Sequence, residues 1–147
     1  MVSFIYSRIT NDIDMYKTLN RKAKGINGER ELIHLFWEAG WAAIRVAGSG
    51  SSRFPSPDVL AGNSIRRVAV EAKVINGKTK YFSKAEIDEL KKFSKAFGAE
   101  SWIAVRFSGK DWLFINPEDL KETDKGFSIT LDKAVSFGLI FSEFISY

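Results

Sequence analysis

Apolar positions recur along this chain with two periods, and the change from one to the other marks out its elements. In Lys22–Ala39, Leu32, Ile33, Leu35, Phe36 and Ala39 return at three- and four-residue steps, predicting a helix with one buried face and Gly40 as its C-cap. Trp41 to Ala47 predicts a short strand with Arg45 in its outgoing half. Val59-Leu60-Ala61-Gly62 and Arg66-Arg67-Val68-Ala69-Val70, parted by Asn63-Ser64, predict two strands joined by a tight turn. Val74 to Lys80 reads as a basic turn. Ser83 and Glu86 form a capping box opening a helix that runs to about Phe97, with Gly98 closing it and Ile87, Leu90, Phe93 and Phe97 as its stripe. Strands over Ser101–Phe107 and Asp111–Ile115 make a hairpin backing the central sheet, followed by an edge strand at Phe127–Leu131 and a closing helix over Ala134–Ile145. Ahead of all this, Phe4, Ile5, Tyr6 and Ile9 read as a short strand or a docking segment. The sum is an α/β fold with a central mixed β-sheet of about five strands flanked by helices. It divides into an extension of open role, residues 1–20, and one domain, residues 21–147.

The paired strands carry the candidate chemistry. Side chains alternate between faces along a strand, and residues directly opposite share a face. With the turn centred on Asn63-Ser64, Ala61 falls opposite Arg66 and Asp58 opposite Ala69. Asp58, Ala69, Glu71 and Lys73 then line one face. Val59, Ala61, Val68, Val70, Ala72 and Val74 line the other, which suits a core. Two carboxylates held close together repel, so one takes a proton or a cation sits between them. An all-oxygen site of this kind suits Mg²⁺. Lys73 would orient or deprotonate a water there, or steady charge on a phosphorane-like transition state. Phosphodiester hydrolysis fits these parts best, although a Pro-Asp turn and a solvated Glu-x-Lys pair spell the same letters.

Composition narrows the setting. The 147 residues are one domain's length, and 45% apolar with 14% aromatic content excludes a disordered chain. Without cysteine there is neither disulfide nor thiolate zinc site, as fits a reducing cytoplasm. No apolar run nears the roughly 20 residues of a membrane span, and no signal peptide is apparent. Charge is uneven: Lys17 to Lys95 hold 16 basic and 8 acidic residues, whereas the rest hold 6 and 10. A basic surplus around the candidate site is what a polyanion requires, though a solvated surface shows it too. Glu29 shares the face of Leu32, Ile33 and Phe36, where a carboxylate needs a partner. An acid favouring the helix dipole is the plainer alternative. His34, the one histidine, falls on the polar face with Asn27, Glu31 and Glu38 and is set aside as a base.

Five blocks in order resemble a known family: Lys24-Gly25 with Glu29-Arg30-Glu31-Leu32, Ala43 to Ser49, Pro57-Asp58-Val59 with Ala61-Gly62-Asn63, Val70-Glu71-Ala72-Lys73, and Phe93 to Gly98. Pro57-Asp58 with Glu71-Ala72-Lys73 is similar to the PD-(D/E)xK nuclease signature, and the whole run looks like the archaeal Holliday junction resolvases. The resemblance implies a restriction-endonuclease-like nuclease fold. It also implies a homodimer that binds four-way DNA junctions and nicks two opposing strands with Mg²⁺ or Mn²⁺, in recombination and repair. Carried over by position, Glu29, Asp58 and Glu71 bind metal, Lys73 positions the attacking water, and Arg45 and Ser49 contribute to cleavage. Lys24, Arg30, Arg45, Ser49, Ser51 and Arg53 contact DNA, and Phe93 and Phe97 sit in the dimer interface. The location implied is the cytoplasm, at the nucleoid. The hydrophobic tail from Phe137 offers a further patch for self-association or for a sliding clamp. Two competing readings keep the same residues: a metal-dependent nuclease of duplex or ends, and a junction-binding protein without catalysis.

Overall fold

A computed structural model describes residues 2–48, 51 and 53–147, with the backbone alone for residues 2–13 and 16. The first helix is longer than the apolar stripe foretold. Helix α1 runs unbroken from Val2 to Glu38, so the strand suggested at Phe4–Ile9 is helical. Nothing between Val2 and Lys22 breaks a helix, since no proline occurs before Pro55 and Gly25 and Gly28 are tolerated within it. At the other end Gly40 takes a left-handed φ of 83°. There Gly40 N–H donates to Trp37 O and Trp41 N–H to Phe36 O, while the Phe36 and Trp41 rings meet 5.5 Å apart. That paired-bond and ring arrangement is a Schellman stop.

Six strands form the central sheet: β1 (Ala42–Arg45), β2 (Val59–Gly62), β3 (Arg67–Ile75), β5 (Glu100–Phe107), β6 (Leu113–Ile115) and the two-residue β9 (Leu139–Ile140), in the order β1-β2-β3-β5-β6-β9. β3 lies near the middle, antiparallel to β2 and parallel to β5. The expected hairpin of β5 and β6 is therefore part of this sheet and does not back it. β3 extends to Ile75, and residues assigned to a basic turn hold the start of a further strand, β4 (Thr79–Ser83). With β7 (Lys121–Thr123) and β8 (Gly126–Thr130), β4 makes a second, three-stranded sheet. β8, expected at an edge, is its middle strand. Helix α2 (Lys84–Phe97) opens on the Ser83–Glu86 capping box and stops at Gly98 in the left-handed region. The closing helix is broken in two, α3 (Leu131–Phe137) and α4 (Phe141–Ile145), because Gly138 turns the chain so that β9 can pair with β6.

The β2–β3 register differs from the expected one by two residues. Gly62 pairs with Arg67 and Val59 with Val70. The turn is the four residues Asn63–Arg66, fixed by the Asn63 side chain, whose Oδ1 accepts from Ile65 N–H and Arg66 N–H. This Asx turn moves the bend one position along. A slip of two keeps every side chain on its expected face. Val59, Ala61, Val68 and Val70 pack under Leu32 and Phe36 of α1 and Phe144 of α4. On the opposite side Ala69, Ile103 and Val105 pack against Ile87 and Leu90 of α2, together with Phe82 and Ile129 of the small sheet. Leu32 and Phe36 are fully buried, each worth about 2–3 kcal/mol. α1 crosses β3 closely at Gly28, where a Cβ would stand 2.7 Å from Val74 Cγ2 and 3.3 Å from the Trp112 ring.

Candidate active site

Asp58 sits at the head of β2, held by its backbone and its side chain together. Its N–H donates to Val70 O, its carbonyl accepts from Val46 N–H, and its Oδ2 accepts from Ala72 N–H at 2.9 Å. The register carried one residue beyond Val59–Val70 sets it across from Glu71. Asp58, Glu71 and Lys73 thus share the α2 side of the sheet, as the face argument requires. Lys73 Nζ lies 3.1 Å from Glu71 and 3.2 Å from Glu86. Glu86 is the capping-box residue of α2, accepting from Ser83 N–H at 2.8 Å. Sequence reasoning assigned it the cap and missed its second task of gripping Lys73. Its position three residues after an N-cap carried only the first signal.

Glu29 arrives from the other side. It stands on the inward edge of α1 and accepts from Arg45 at 3.2 Å, and Arg45 shares the α1 face of the sheet with its register partner Val59. The site therefore straddles the end of the sheet, with Asp58 between two ion-paired groups. Among the described residues no three His, Cys, Asp or Glu side chains are drawn into a formed metal-ligand set. Glu29 is instead paired with Arg45, and Glu71 with Lys73.

These acids are held at an electrostatic disadvantage. Burial, then the nearby Asp58 charge, pushes Glu71 up to about 7 despite Lys73. Burial and Asp58 also raise Glu29, with Arg45 working against them. Lys73 would be lowered by burial, but the Glu71 and Glu86 carboxylates outweigh that and hold it above its usual value. At neutral pH Lys73 therefore keeps its proton and serves as a charge and donor, which favours the orienting role over deprotonation of water. Glu86, against its own burial, is lowered by the Ser83 N–H and by Lys73. Two carboxylates, Glu71 and Glu29, raised by burial and by the Asp58 charge fit a hard divalent cation, which would relieve the same repulsion.

The remaining candidates are placed as follows. Arg30 and Lys24 are exposed on α1, and Lys24 Nζ donates to Asn76 Oδ1. Ser51 and Arg53 are exposed in the loop leading to Asp58, with Ser51 N–H and Oγ–H both donating to Gly48 O. Ser49 lies outside the described residues. Phe97 is 48% exposed and stacks on the half-buried Phe93 at 5.5 Å, next to an apolar groove lined by Ala42, Ile44 and Leu60. His34 is exposed, as expected of the polar face. No helix among the described residues is long and apolar enough to cross a membrane.

Comparison with known proteins places this arrangement. A model of the archaeal Holliday junction resolvases matches residues 20–147. The crossover junction endodeoxyribonuclease Hjc of Archaeoglobus fulgidus is 44% identical over 108 residues, which are 74% of this chain and 79% of that protein. Its counterpart in Sulfolobus acidocaldarius is 30% identical over 131 residues, 88% of this chain and 91% of its own. Among solved structures, Archaeoglobus fulgidus Hjc superposes with a TM-score of 0.77 at 38% identity, covering 82% of this chain and 98% of that one.

Proposed function

Because the chain belongs to the archaeal Holliday junction resolvase family, we propose that it is a structure-selective endonuclease that nicks two opposing strands of a four-way DNA junction. The observation that carries this is the gathering of Asp58, at the head of β2, with Glu71 and Lys73, inside β3, on one face, with Glu29 and Arg45 closing on Asp58 from α1 and β1. Glu29, Asp58 and Glu71 would hold Mg²⁺, or Mn²⁺ in its place. When bound, the ion lowers the pKa of a water and screens the scissile phosphate.

The protein's own groups do the rest. Lys73, protonated between Glu71 and Glu86, orients the attacking water and neutralises charge growing on the phosphate oxygens. Arg45, now paired with Glu29, would offer its guanidinium to the same phosphate if Glu29 served the metal. Ser49, Ser51, Arg53, Arg30 and Lys24 would contact the backbone of the arms without reading bases. Two cuts call for two sites, which a two-fold dimer supplies. The stacked Phe93 and Phe97 beside an exposed apolar groove support that face as the interface. We further propose a sliding clamp as a partner for the tail, where Phe137 and Tyr147 are exposed, and the cytoplasmic nucleoid as the place of action.

The test is cleavage of a synthetic immobile junction, with and without Mg²⁺, by native protein and by Asp58→Asn. Metal-dependent paired nicks by the native protein, lost in the variant while junction affinity is kept, support the reading. Undiminished metal-dependent cleavage by the variant rejects the assigned site. Equal cleavage of linear duplex built from the same strands replaces junction resolution with a general nuclease.

A further inference from the structure

Helix α1 outruns the domain it belongs to. It leaves the rim of the central sheet near Lys24, which reaches the Asn76 side chain in the turn after β3. Every residue from Asp14 to Lys24 whose side chain is described is exposed. The projecting part is about 30 Å long at 1.5 Å per residue. It precedes almost all of the family match, which begins at residue 20, and the Archaeoglobus fulgidus structure is nearly fully covered by 82% of this chain.

The exposed stretch has a marked charge bias. Met15 to Gly28 contain Lys17, Arg21, Lys22 and Lys24 and no acid. On a helix Lys17, Arg21 and Lys24, at steps of four and three, fall on one stripe, and the next step of four is Gly28. Gly28 faces Val74 and Trp112, so the stripe looks down over the sheet's rim and not away from it. Below it lies an open polar pocket lined by Lys24, Asn76, Arg106 and Lys110 with Glu31 and Asp111. Arg106 is paired with Glu31 and lies 5.2 Å over the Trp112 ring. Lys24 is bonded to a neutral amide, which leaves its charge uncancelled. The nearest acids on the helix are Asp14, three residues before Lys17, and Glu29, five after Lys24.

We propose that the projecting part of α1 and this rim form a second phosphate-binding groove that clamps a duplex arm beyond the cutting site. The proposal rests on the junction-cleaving reading above and extends it to a segment lying almost wholly outside the family match. Lys17 stands twelve residues before Glu29, about 18 Å along the helix, a distance that corresponds to roughly 5 base pairs of duplex. The arm held there would be the one that carries the phosphate to be cut. A regularly spaced cationic stripe follows a backbone without reading its sequence.

The test compares the native chain with Lys17→Ala/Arg21→Ala in binding a fixed junction across a salt series. The expected result is about 5- to 20-fold weaker binding and a salt slope shallower by about two counterions. Junctions carrying methylphosphonate linkages about three to six nucleotides from the cut phosphate should bring the native protein down to the variant's affinity and leave the variant unmoved. Equal affinity and equal slope for the two proteins overturn the groove. So would an affinity loss in the variant that the neutral linkages do not reproduce, since that signals damage to the fold and not lost phosphate contacts. If the native chain neither binds nor cuts junctions, the parent reading falls with it. If the native chain cuts and the variant matches it, only the groove is rejected.

Discussion

Two charged clusters occupy the neighbourhood of β3, and they are built on opposite principles. Near its start, the Arg66 guanidinium bonds both oxygens of Glu100 at 2.8 and 3.0 Å and donates to Phe144 O. It also lies within 6 Å of the ring centres of Trp41, Phe144 and Tyr147. Its hydrogen bond to Arg66, reinforced by Trp102, holds Glu100 below the usual carboxylate range. At the middle of the strand, where β2 begins beside it, Glu71 meets Asp58 and Glu29 with too little positive charge, and Glu71 rises to about 7. One cluster has its charges matched and ties α4 to the sheet. The other has them mismatched, with burial and Asp58 raising both Glu71 and Glu29. Acids lowered by a fixed partner stabilise a fold; acids raised by burial and by one another mark a place where something is meant to bind.

That contrast predicts what breaking each cluster does. The largest effect is Asp58→Asn, which should reduce junction cleavage about 1,000-fold or more while leaving affinity equal or tighter, since a negative charge facing phosphate is gone. Single-turnover cleavage beside a gel-shift titration measures both. Next is Arg66→Met, which should cost about 2–4 kcal/mol in urea unfolding, because the bond pair to Glu100 and the stacking on three rings are lost together. That loss should be the same at pH 6 and pH 8.

Glu71→Gln should act in the other direction, and only at the higher pH. A carboxyl whose folded pKa stands above its unfolded value costs stability as pH rises between the two, here from 4.5 to about 7. In metal-free protein the variant should be more stable by about 1–3 kcal/mol at pH 8 and equal to the native chain at pH 5. Urea curves at the two pH values decide it, and a variant that is less stable at pH 8 would show that the acids are not crowded. The smallest effect separates the two tasks of Glu86. Ser83→Ala should lose about 1 kcal/mol from the helix cap, whereas Glu86→Gln keeps an oxygen to accept from Ser83 N–H and should lose less. Only Glu86→Gln should slow cleavage, about tenfold, because only it loosens Lys73.

Much of this was legible in the sequence because period and parity survive small errors. The register of β2 on β3 was misplaced by two, yet an even slip returned Asp58, Glu71 and Lys73 to one face and Val59, Ala61, Val68 and Val70 to the other. The Asn63 Asx turn that set the true register is a side-chain effect that period counting does not see. Strand β4 was missed because Lys78-Thr79-Lys80 looks like a solvated turn. Its reason for being a strand lies 40 or more residues away, in pairing with β8. The extended α1 was missed for the opposite reason, since from Asp14 to Lys24 every described side chain is exposed and no buried stripe marks the helix. Glu29 was correctly placed on the inward edge of its helix, but nothing local told that it would approach from the far side of the sheet.

Gly28 gives that approach a cause. With only a hydrogen at this position, the helix axis can settle nearer to β3 than any side chain would allow, and Val74 and Trp112 fill the space beneath it. The neighbouring carboxylate, Glu29, inherits that height. The separation between the layers is therefore a working dimension of the candidate site, set by the narrowest residue available and not by the acids themselves.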